Sequence, residues 1–540
     1  MIATALLIGA AVTASGGPVS NGAPTVDTAA VTAVARPAAA VPSPTATEVT
    51  TTTPSATPAA ASPAVVPLVP LVPIVPLVPI VSFWSSQRSI SRASLAEAIG
   101  GAEDQNVSAS PIRVAVSAAD LQALGEALGV TPLNVTALSP DAVRAFVKFT
   151  PNSVGIVRAD DVALGVRAIG VDGAQLFGVD RIRDIADWPL LATEPGAKTT
   201  FAMSEAWTMA AGGDVMLDKA VYARSVTVGL GVDYAWNGGT AAIDNRHCCG
   251  WGGGPLVSGF RTGQSGALGD LFRQADVSLV NLESPETHDF RYHAGGFTFT
   301  GDPALLAGLQ DSGIDVVSLA NNHLGDGGLH AVADEIGTLD SLGIGHAGAG
   351  FNNAAARAPA WINAGGLRVA VLAYCWIEPF GYWATSNSPG SSGFSLSQVT
   401  SDIKAAKASG ADYVVVMPHW GIEYTDAVLS DQSNAAAKMI GAGANLILGS
   451  HSHWFGAMAQ AGADKLIFYS LGDLVFDWTH DERTQESAVA DLTFVGTKLV
   501  QVDLHPILII DGQPNLLDPA GDGKVILDQV RATSGRALGW

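Results

Sequence analysis

In its second half the chain reads Val414-Val415-Val416-Met417-Pro418-His419-Trp420-Gly421-Ile422-Glu423-Tyr424, which places a side chain able to bind a metal directly after an apolar run. The apolar residues and the turn signal after them predict a buried strand of a parallel sheet. In open α/β sheets, binding and catalytic residues gather beyond the carboxyl ends of the strands. His419 would lie at that edge, either as a functional residue or as a hydrogen-bonded structural histidine.

The sequence around this stretch alternates strand and helix patterns from residue 208 onward. The predicted strands are 207–213, 277–280, 314–320, 367–374, 413–417, 446–449 and 466–469, and the predicted helices are 268–275, 303–312, 329–342, 397–409 and 430–442. Such alternation predicts mostly parallel strands with helices on the faces of the sheet. Residues 487–510 instead hold β-rich runs with no helix between them, which predicts an antiparallel second sheet.

Composition limits the classes of function. The chain has 540 residues, of which 48% are hydrophobic and 14% charged, so it can bury a large core in two or three domains. Its 28 Lys and Arg against 50 Asp and Glu give a formal charge of −22, which disfavours nucleic acid or anionic lipid as partners and favours cation capture. Three cysteines are too few for a disulfide framework and lack zinc-thiolate spacing.

The first 88 residues are predicted to be non-globular. Residues 1–15 hold a short apolar run before small residues, as in a secretory signal, although the basic start is missing and an Ala-rich disordered end is the alternative. Residues 16–88 are rich in Ala, Pro and Thr, and residues 66–81 carry proline every third residue. That repeat forbids a continuous helix and matches polyproline II, so we expect a disordered linker and no transmembrane helix. A tether in the cell envelope and a plain linker both fit it.

Residues 89–200 are predicted to form a small domain of mixed helices and strands. A helical pattern covers residues 117–128 with Ser117 as a candidate N-cap, and short strands are expected in 152–157 and 162–173. The segment resembles one lobe of the periplasmic solute-binding fold. A structural or protein-contact domain is the alternative.

Polar side chains follow several of the predicted strands. They are Asp214, Glu283, Asn322 with His323, His419, and His451 with His453. Divalent transition metals favour carboxylate, imidazole and amide oxygen ligands, and two neighbouring ions need a bridging carboxylate, a role open to Glu283. Singly, each motif is also explained by a turn or a helix start. Jointly, that explanation requires five polar exceptions at the same end of their strands.

The order and wording of these motifs resemble the CapA family, the poly-γ-glutamate capsule synthesis proteins with a calcineurin-like metallophosphatase fold. The resemblance covers residues 208–502. The matching text is Gly-Asp-Val-Met-Leu at 213–217, Asn-Leu-Glu at 281–283, Phe-Thr-Gly-Asp-Pro at 299–303, Val-Ser-Leu-Ala-Asn-Asn-His at 317–323, Gly-Ala-Gly at 348–350, His-Trp-Gly-Ile-Glu-Tyr at 419–424, Gly-Ser-His-Ser-His at 449–453 and Tyr-Ser-Leu-Gly-Asp-Leu-Val-Phe-Asp at 469–477. It implies that residues 201–512 form a two-sheet αββα sandwich of the metallophosphoesterase kind, followed by a C-terminal tail at 513–540.

The resemblance also implies a site for two divalent metal ions, with Mn, Fe, Zn and Mg as candidates. Asp214 and His453 would hold one ion, Asn322, His419 and His451 the other, and Glu283 would bridge them. A hydroxide made available near neutral pH by the cations would attack a phosphorus or carbonyl centre.

Two further residues receive roles beside these ligands. His323 follows the ligand Asn322 in the chain and is a candidate proton donor or charge stabiliser. Glu423 would orient a ligand imidazole, and a surface salt link is the alternative.

The chain departs from the family pattern at Asp473, which stands where the family usually has Asn and is therefore a candidate substrate contact. Met216 follows the family pattern. It stands where many two-metal phosphoesterases outside the family place a further His, which leaves the first ion with fewer protein ligands.

The Gly-rich insert 234–263 lies between the first two motifs and would be a disordered surface loop or a lid over the site. Arg246 and Arg261 within it, together with Arg291, are candidate grips for an anionic substrate.

Three functions remain open from the sequence. The first is a metal-dependent hydrolase of capsule or another anionic polymer, exported to the bacterial envelope or beyond, with a membrane-bound capsule synthase as a candidate partner. The second is a non-catalytic assembly or polymer-binding factor that keeps the fold. The third is a secreted phosphoesterase or nucleotidase, which would turn over small phosphate esters and no polymer.

Overall fold

The computed structural model describes residues 74–100, 112–193, 201–377, 382–538 and 540. The predicted signal segment at 1–15 and the predicted linker up to residue 73 lie outside these ranges. Within them, no helix has both the length and the apolar character needed to cross a lipid bilayer.

The amino-terminal part of the described chain forms a small sheet with helices packed against it. Its elements are β1 (Ile74–Ser82), β2 (Ser89–Ile90), α1 (Arg92–Gly100), β3 (Arg113–Ser117), α2 (Leu121–Leu128), β4 (Thr136–Leu138), α3 (Pro140–Phe149), β5 (Ser153–Arg158), β6 (Val166–Ala168), β7 (Gly170–Val171) and β8 (Leu191–Thr193). The sheet order is β4-β3-β5-β1-β6, with β8 also paired to β1. The helix predicted from Ser117 begins only at Leu121, because Ser117 is the last residue of β3. The predicted small α/β domain is therefore present.

The prediction of a disordered linker as far as residue 88 is wrong over β1. This strand lies inside the small sheet, antiparallel to β5 and β6, with Ile80 opposite both Gly155 and Ala168. Proline fixes φ at about −65°, which an extended strand tolerates, so a proline repeat alone does not separate polyproline II from a strand. The apolar residues between the prolines are buried, and this burial selects the strand.

We expect Ile80→Ala to lower the free energy of unfolding by about 2–4 kcal/mol, because Ile80 is fully buried and its truncation leaves a cavity. Ile74→Ala is the matched control in the same strand, since Ile74 is 37% exposed, and it should change the free energy by less than about 0.5 kcal/mol. Urea denaturation followed by circular dichroism measures both. Equal effects of the two variants would contradict the placement of β1 inside the domain.

The rest of the chain builds two larger sheets. Its elements are β9 (Ala206–Val215), α4 (Lys219–Tyr222), β10 (Thr240–Cys248), β11 (Pro255–Gly263), α5 (Ala267–Gln274), β12 (Val277–Leu282), α6 (Leu306–Asp311), β13 (Val316–Ser318), α7 (Leu329–Leu342), β14 (Gly345–Ala347), β15 (Ala349–Gly350), α8 (Asn353–Ala356), β16 (Ala360–Ala364), β17 (Leu367–Cys375), β18 (Gly390–Ser391), α9 (Leu396–Ala408), β19 (Tyr413–His419), α10 (Ser430–Ala442), β20 (Leu446–Leu448), β21 (Met458–Gln460), β22 (Leu466–Phe468), β23 (Asp473–Val475), α11 (Glu482–Gln485), β24 (Glu486–Val495), β25 (Lys498–Ile510), β26 (Gln513–Leu517) and α12 (Lys524–Ser534). One sheet has the order β11-β10-β26-β25-β24-β9-β12-β13-β14, with β23 beside β9, and the other has the order β16-β17-β19-β20-β22-β21.

The two larger sheets pack face to face with helices outside them. Alternate residues of a strand point to opposite faces of its sheet. In β19, Val415 and Met417 enter the core between the sheets, where they join Met209 of β9, whereas Val414 and Val416 pack with α9 and α10. The helices α5, α6 and α7 cover the outer face of the other sheet. The predicted αββα sandwich is therefore confirmed.

Two parts of this sandwich differ from the sequence prediction. The insert 234–263 contains the antiparallel hairpin β10–β11, so the prediction of a disordered loop is wrong there. The predicted tail 513–540 contains β26, which pairs with β25 and β10, and α12, whose Val530 enters the core between the sheets. The hairpin β10–β11 joins the sheet through β26, where Thr240 lies opposite Leu516, so its partner is distant in sequence. In β26 the missed signal was local, because Asp511 and Gly512 form the turn that joins it to β25.

Candidate metal centre

The strand ends of the two larger sheets bring six predicted ligands together. They are Asp214 in β9, Glu283 after β12, Asn322 after β13, His419 at the end of β19, and His451 and His453 after β20. Ligand atoms of Glu283, His419 and His451 all lie within 4.8 Å of one another, and so do those of Asp214, Glu283 and His453. The side chains thus form two groups that share Glu283.

The first group is centred on the His419 imidazole. Its Nε2 atom lies 2.6 Å from Oδ1 of Asn322, 3.1 Å from Nδ1 of His451 and 3.6 Å from Oε1 of Glu283. All four side chains are buried. An amide oxygen, two imidazole nitrogens and a carboxylate at one point make a donor set suited to Mn, Fe or Zn.

The second group lies around the Asp214 carboxylate, which is fully buried. Nδ1 of His453 is 3.9 Å from Oδ2 of Asp214 and 2.9 Å from Oδ1 of Asp473. The backbone N–H of His451 donates to Oδ2 of Asp214 at 3.1 Å, which ties the two groups together. Met216, two residues after Asp214, is buried in the hydrophobic core and offers neither an imidazole nor a carboxylate ligand.

The shared carboxylate, Glu283, is poorly satisfied by the protein itself. Burial, and then the neighbouring Asp214 charge, raise the pKa of Glu283 well above its ordinary value, and burial also raises the pKa of Asp214. Neither oxygen of Glu283 accepts a hydrogen bond from another described residue. Buried acceptors left in this state are costly, and a cation between the groups would satisfy them. The residues present therefore fit a bound metal.

Two of the three ligand histidines are held neutral. Burial and the neighbouring imidazoles lower the pKa of His419 far below its ordinary value and that of His451 to about 3. A neutral imidazole offers a lone pair to a metal without first losing a proton. For His453, burial lowers the pKa, but the charge and hydrogen bond of Asp473, with Glu283 and Asp214, outweigh burial and raise the pKa to about 10.

The backbone adopts uncommon conformations to place these groups. His451 has φ of 97° and His453 has φ of 60°, both in the left-handed region, where such residues concentrate at functional sites. At Gly213, which precedes Asp214, an added Cβ atom would lie only 1.8 Å from the carbonyl oxygen of Gly472. The glycine therefore lets the chain leading into β23 approach β9 closely enough to place Asp473 beside His453.

Three residues of the site received no role in the sequence analysis: Asn281, Asp326 and Ser450. Ser450 Oγ lies 2.9 Å from Nδ1 of His419, and Nδ2 of Asn281 donates to Oδ1 of Asp214 at 2.8 Å. Asp326 Oδ2 lies 2.9 Å from Nδ1 of His323, three residues earlier. Each lies next to or within three residues of a predicted site residue, and that proximity in sequence was the available signal.

Glu423 does not have the predicted position behind a ligand imidazole. Its side chain is exposed, and Nδ1 of His419 faces Ser450 and Asn281 instead. The difference arises because β19 ends at His419 and the chain then turns at Gly421, which has φ of 104°, so that Tyr424 and not Glu423 packs on the His453 ring.

The predicted arginine grips hold the protein together. Arg246 pairs with Glu482 at 2.7 Å and with the buried Glu486 at 2.5 Å, and Arg261 bonds to Gln513, Tyr234 and the carbonyl of Ile510. These contacts attach the hairpin β10–β11 to the sandwich. We therefore assign both arginines to that attachment.

Arg291 and Asp473 also differ from their predicted surroundings. Arg291 is exposed and donates to the carbonyls of Asp289 and Phe290. Asp473 is buried against His453 and so lies behind a predicted ligand, where it fixes the orientation of the imidazole.

Comparison with known proteins matches the family model described as bacterial capsule synthesis protein PGA_cap to residues 208–478. The "Capsule biosynthesis protein CapA" of Bacillus anthracis is 28% identical over 353 residues, which cover 64% of this chain and 78% of that protein. The "PGA biosynthesis protein CapA" of Bacillus subtilis is 29% identical and covers 45% of this chain and 64% of that protein. Among solved structures, the calcineurin-like phosphoesterase YfkN from Bacillus subtilis aligns at a TM-score of 0.33 with 13% identity, over 60% of this chain and 99% of that one.

Proposed function

Since the chain belongs to the bacterial capsule synthesis protein (PGA_cap) family, we propose that it is a metal-dependent hydrolase that acts on poly-γ-glutamate or a related anionic capsule polymer. One observation carries the proposal: two buried groups of ligand-type side chains share Glu283, whose oxygens accept no hydrogen bond from the described residues. A shared carboxylate between two ligand groups is the arrangement that a two-metal hydrolase requires.

The roles of the residues follow from the two groups. Asp214, Glu283 and His453 would hold one divalent ion, and Glu283, Asn322, His419 and His451 would hold the other. Bound there, the ions would activate water and polarise the bond to be cleaved.

His323 would transfer the proton in this proposal. Its Nδ1 atom faces Asp326 at 2.9 Å, so the second ring nitrogen is free of that contact and is the one available to donate to a leaving group. Its side chain is 13% exposed, beside the ligand Asn322.

The place of action would be the bacterial cell envelope. Capsule polymers lie outside the cell, so an enzyme that acts on them must be exported, and a membrane-bound polymer synthase is the partner that would supply its substrate. The relatives' names, which refer to capsule and polymer biosynthesis, support this placement.

The test combines metal analysis with an assay of polymer cleavage. Elemental analysis of the purified protein should find divalent metal, and the metal-loaded protein should cleave a γ-linked glutamate polymer. Asp214→Ala and His419→Ala should each reduce cleavage by at least about 1,000-fold, because each removes a ligand of one ion. The control is His346→Ala, since His346 lies on β14 of the same sandwich and outside both groups.

A second candidate function is a non-catalytic polymer-binding factor. It is favoured by Met216, which is buried where a further ligand would strengthen the Asp214 group. It predicts metal-loaded protein that binds the polymer and cleaves neither polymer nor phosphate esters. Turnover of small phosphate esters without polymer cleavage would instead indicate a phosphoesterase.

A further inference from the structure

A wall of aromatic side chains borders the metal centre. It consists of Trp251, Phe297, Phe299, Tyr424, Trp478 and His480, which come from four separate segments of the chain. The ring centroids lie 5.8 Å apart for Phe299 and Trp478, 5.1 Å for Trp478 and Trp251, 4.4 Å for Trp251 and His480, and 3.8 Å for His480 and Tyr424. These contacts form one continuous series, to which Phe297 adds a branch on Trp478 at 6.0 Å.

Both ends of the wall touch residues of the metal centre. Phe299 packs edge-to-face on His323 at 4.7 Å, and Tyr424 lies parallel to His453 at 5.6 Å. The wall therefore starts beside the proton-donor candidate and ends beside a metal ligand. A molecule bound at the ions would contact it.

Two members of the wall are exposed far more than their chemistry favours. Trp251 is 60% exposed and Phe297 is 78% exposed. Large exposed aromatic surface that continues into a polar site marks a binding surface. Burying this aromatic surface against a ligand would stabilise the complex through buried apolar area and ring contacts.

The exposed tryptophan is held in place by its hairpin. Trp251 stands at the tip of β10–β11 between Gly250 and Gly252, where an added Cβ would come within 2.0 Å of the His480 carbonyl oxygen and 2.1 Å of the His480 ring, respectively. The N–H of Gly252 also donates to the His480 carbonyl at 3.2 Å. The tip is therefore seated on His480, and the indole is positioned before any ligand arrives.

The geometry selects an extended ligand over a flat ring. A ring sandwiched between two aromatic faces needs those faces about 7 Å apart, twice the usual contact distance. Tyr424 and His480 are parallel at 3.8 Å, so they are already in contact, and the other contacts of the series are steeply inclined. The wall offers a long surface and no slot.

The wall also offers little to a carboxylate. Lys219, a cation that packs on the wall, lies 3.5 Å from the Phe299 ring centroid and donates to the carbonyl of Gly296 at 2.8 Å, so its ammonium is already engaged. Amide planes and methylene groups are what such rings contact, and side-chain carboxylates of the ligand would point to solvent.

We propose that this aromatic wall binds the backbone of an extended polyamide, the γ-linked glutamate chain, and positions one of its amide bonds at the metal centre. The inference rests on the proposed function for its substrate class. Trp251 is a positioning residue in this arrangement. It would contact the bound polymer beyond Tyr424 and His480, away from the ions.

The test measures oligomer binding and bound metal separately in the full-length, metal-loaded protein. Trp251→Ala should weaken binding of a γ-linked glutamate oligomer about tenfold in calorimetry, because a large ring contact is lost. It should leave the divalent metal content unchanged in elemental analysis, since Trp251 belongs to neither ligand group. Trp251→Phe should restore most of the binding, and Phe149→Ala, at a residue 78% exposed in the small domain, should change neither.

Three outcomes would overturn the inference. Unchanged oligomer binding in Trp251→Ala would remove the wall from recognition. A loss of bound metal that accompanies the loss of oligomer binding would show that Trp251 only supports the metal centre. Binding of a mononucleotide with the same dependence on Trp251, and none of the oligomer, would assign the wall to a flat ring. If the wild type binds the oligomer without cleaving it, the hydrolase proposal fails, and the binding comparison still decides the role of the wall.

Discussion

Replacing Glu283 with glutamine will reduce the affinity for divalent metal at both groups by at least about 100-fold and will abolish metal-dependent activity. A single residue has this effect because Glu283 belongs to both ligand groups. Glutamine keeps the shape of the side chain but removes the charge and one ligand oxygen, and even outer partners of a metal are worth about 10–100-fold in affinity. Calorimetric titration with Mn²⁺ or Zn²⁺ measures the loss.

The same substitution should stabilise the metal-free protein. Burial raises the pKa of Glu283, so the folded state binds the Glu283 proton more tightly than the unfolded state does. Stability from this group is therefore highest at low pH and falls as pH rises, since the charged form is disfavoured inside the protein. At neutral pH, Glu283→Gln removes the free-energy cost of burying this ionisable carboxyl group. Metal-free Glu283→Gln should melt at a higher temperature than metal-free wild type, and only wild type should gain further on adding metal.

Glu286→Gln is the matched control. Glu286 lies three residues further on, is equally buried, and has a pKa raised by burial to about 8, but it belongs to neither ligand group. At neutral pH it is largely protonated, so glutamine replaces a neutral group. Its metal affinity should remain within about threefold of wild type. A similar loss of metal in both variants, or none in Glu283→Gln, would contradict the bridging role of Glu283.

The regular part of the sandwich follows from local patterns in the sequence. The helices α7 and α10 have the predicted bounds, 329–342 and 430–442, and the strand before His419 lies where the apolar run placed it. These elements combine strong periodicity with clear end signals, so short windows of sequence suffice. The ligands could be predicted once the strand ends were known. The carboxyl edge of a parallel sheet brings together residues that are far apart in the chain.

The elements that were misjudged depend on partners distant in sequence. The β1 strand and the β10–β11 hairpin look like linker and loop in isolation, because their proline and glycine content dominates a local window. Their pairing with β5, β6 and β26 stabilises them in the fold. The Arg246 side chain gave the same kind of error, since its partners Glu482 and Glu486 lie more than 230 residues away.

Metal binding by the wild type should strengthen at least about tenfold for each unit of pH between about pH 7 and about pH 9, because the proton on His453 competes with the metal in addition to any proton held by Glu283. Burial alone would lower the pKa of this histidine, but Asp473, Glu283 and Asp214 raise it to about 10, so the imidazole is protonated in the metal-free protein at neutral pH. The raised pKa of His453 also stabilises the metal-free fold. This contribution to the free energy of unfolding is fully present below the ordinary histidine pKa and is lost as pH rises through about 10.

Asp473→Asn should flatten that dependence. Asp473 supplies the largest of the contributions that raise the pKa of His453, through its charge and a 2.9 Å hydrogen bond, so its neutral analogue lowers the pKa toward the ordinary value. Calorimetry in buffers of different ionisation enthalpy should then find clearly more protons released on metal binding by wild type at pH 7.5 than by Asp473→Asn. Asp481→Asn is the control, since Asp481 is a neighbouring buried carboxyl that contacts Trp454 and His480 but not His453. Identical proton release in wild type and Asp473→Asn would mean that His453 does not give up a proton to the metal, and the second ligand group would then lack its imidazole.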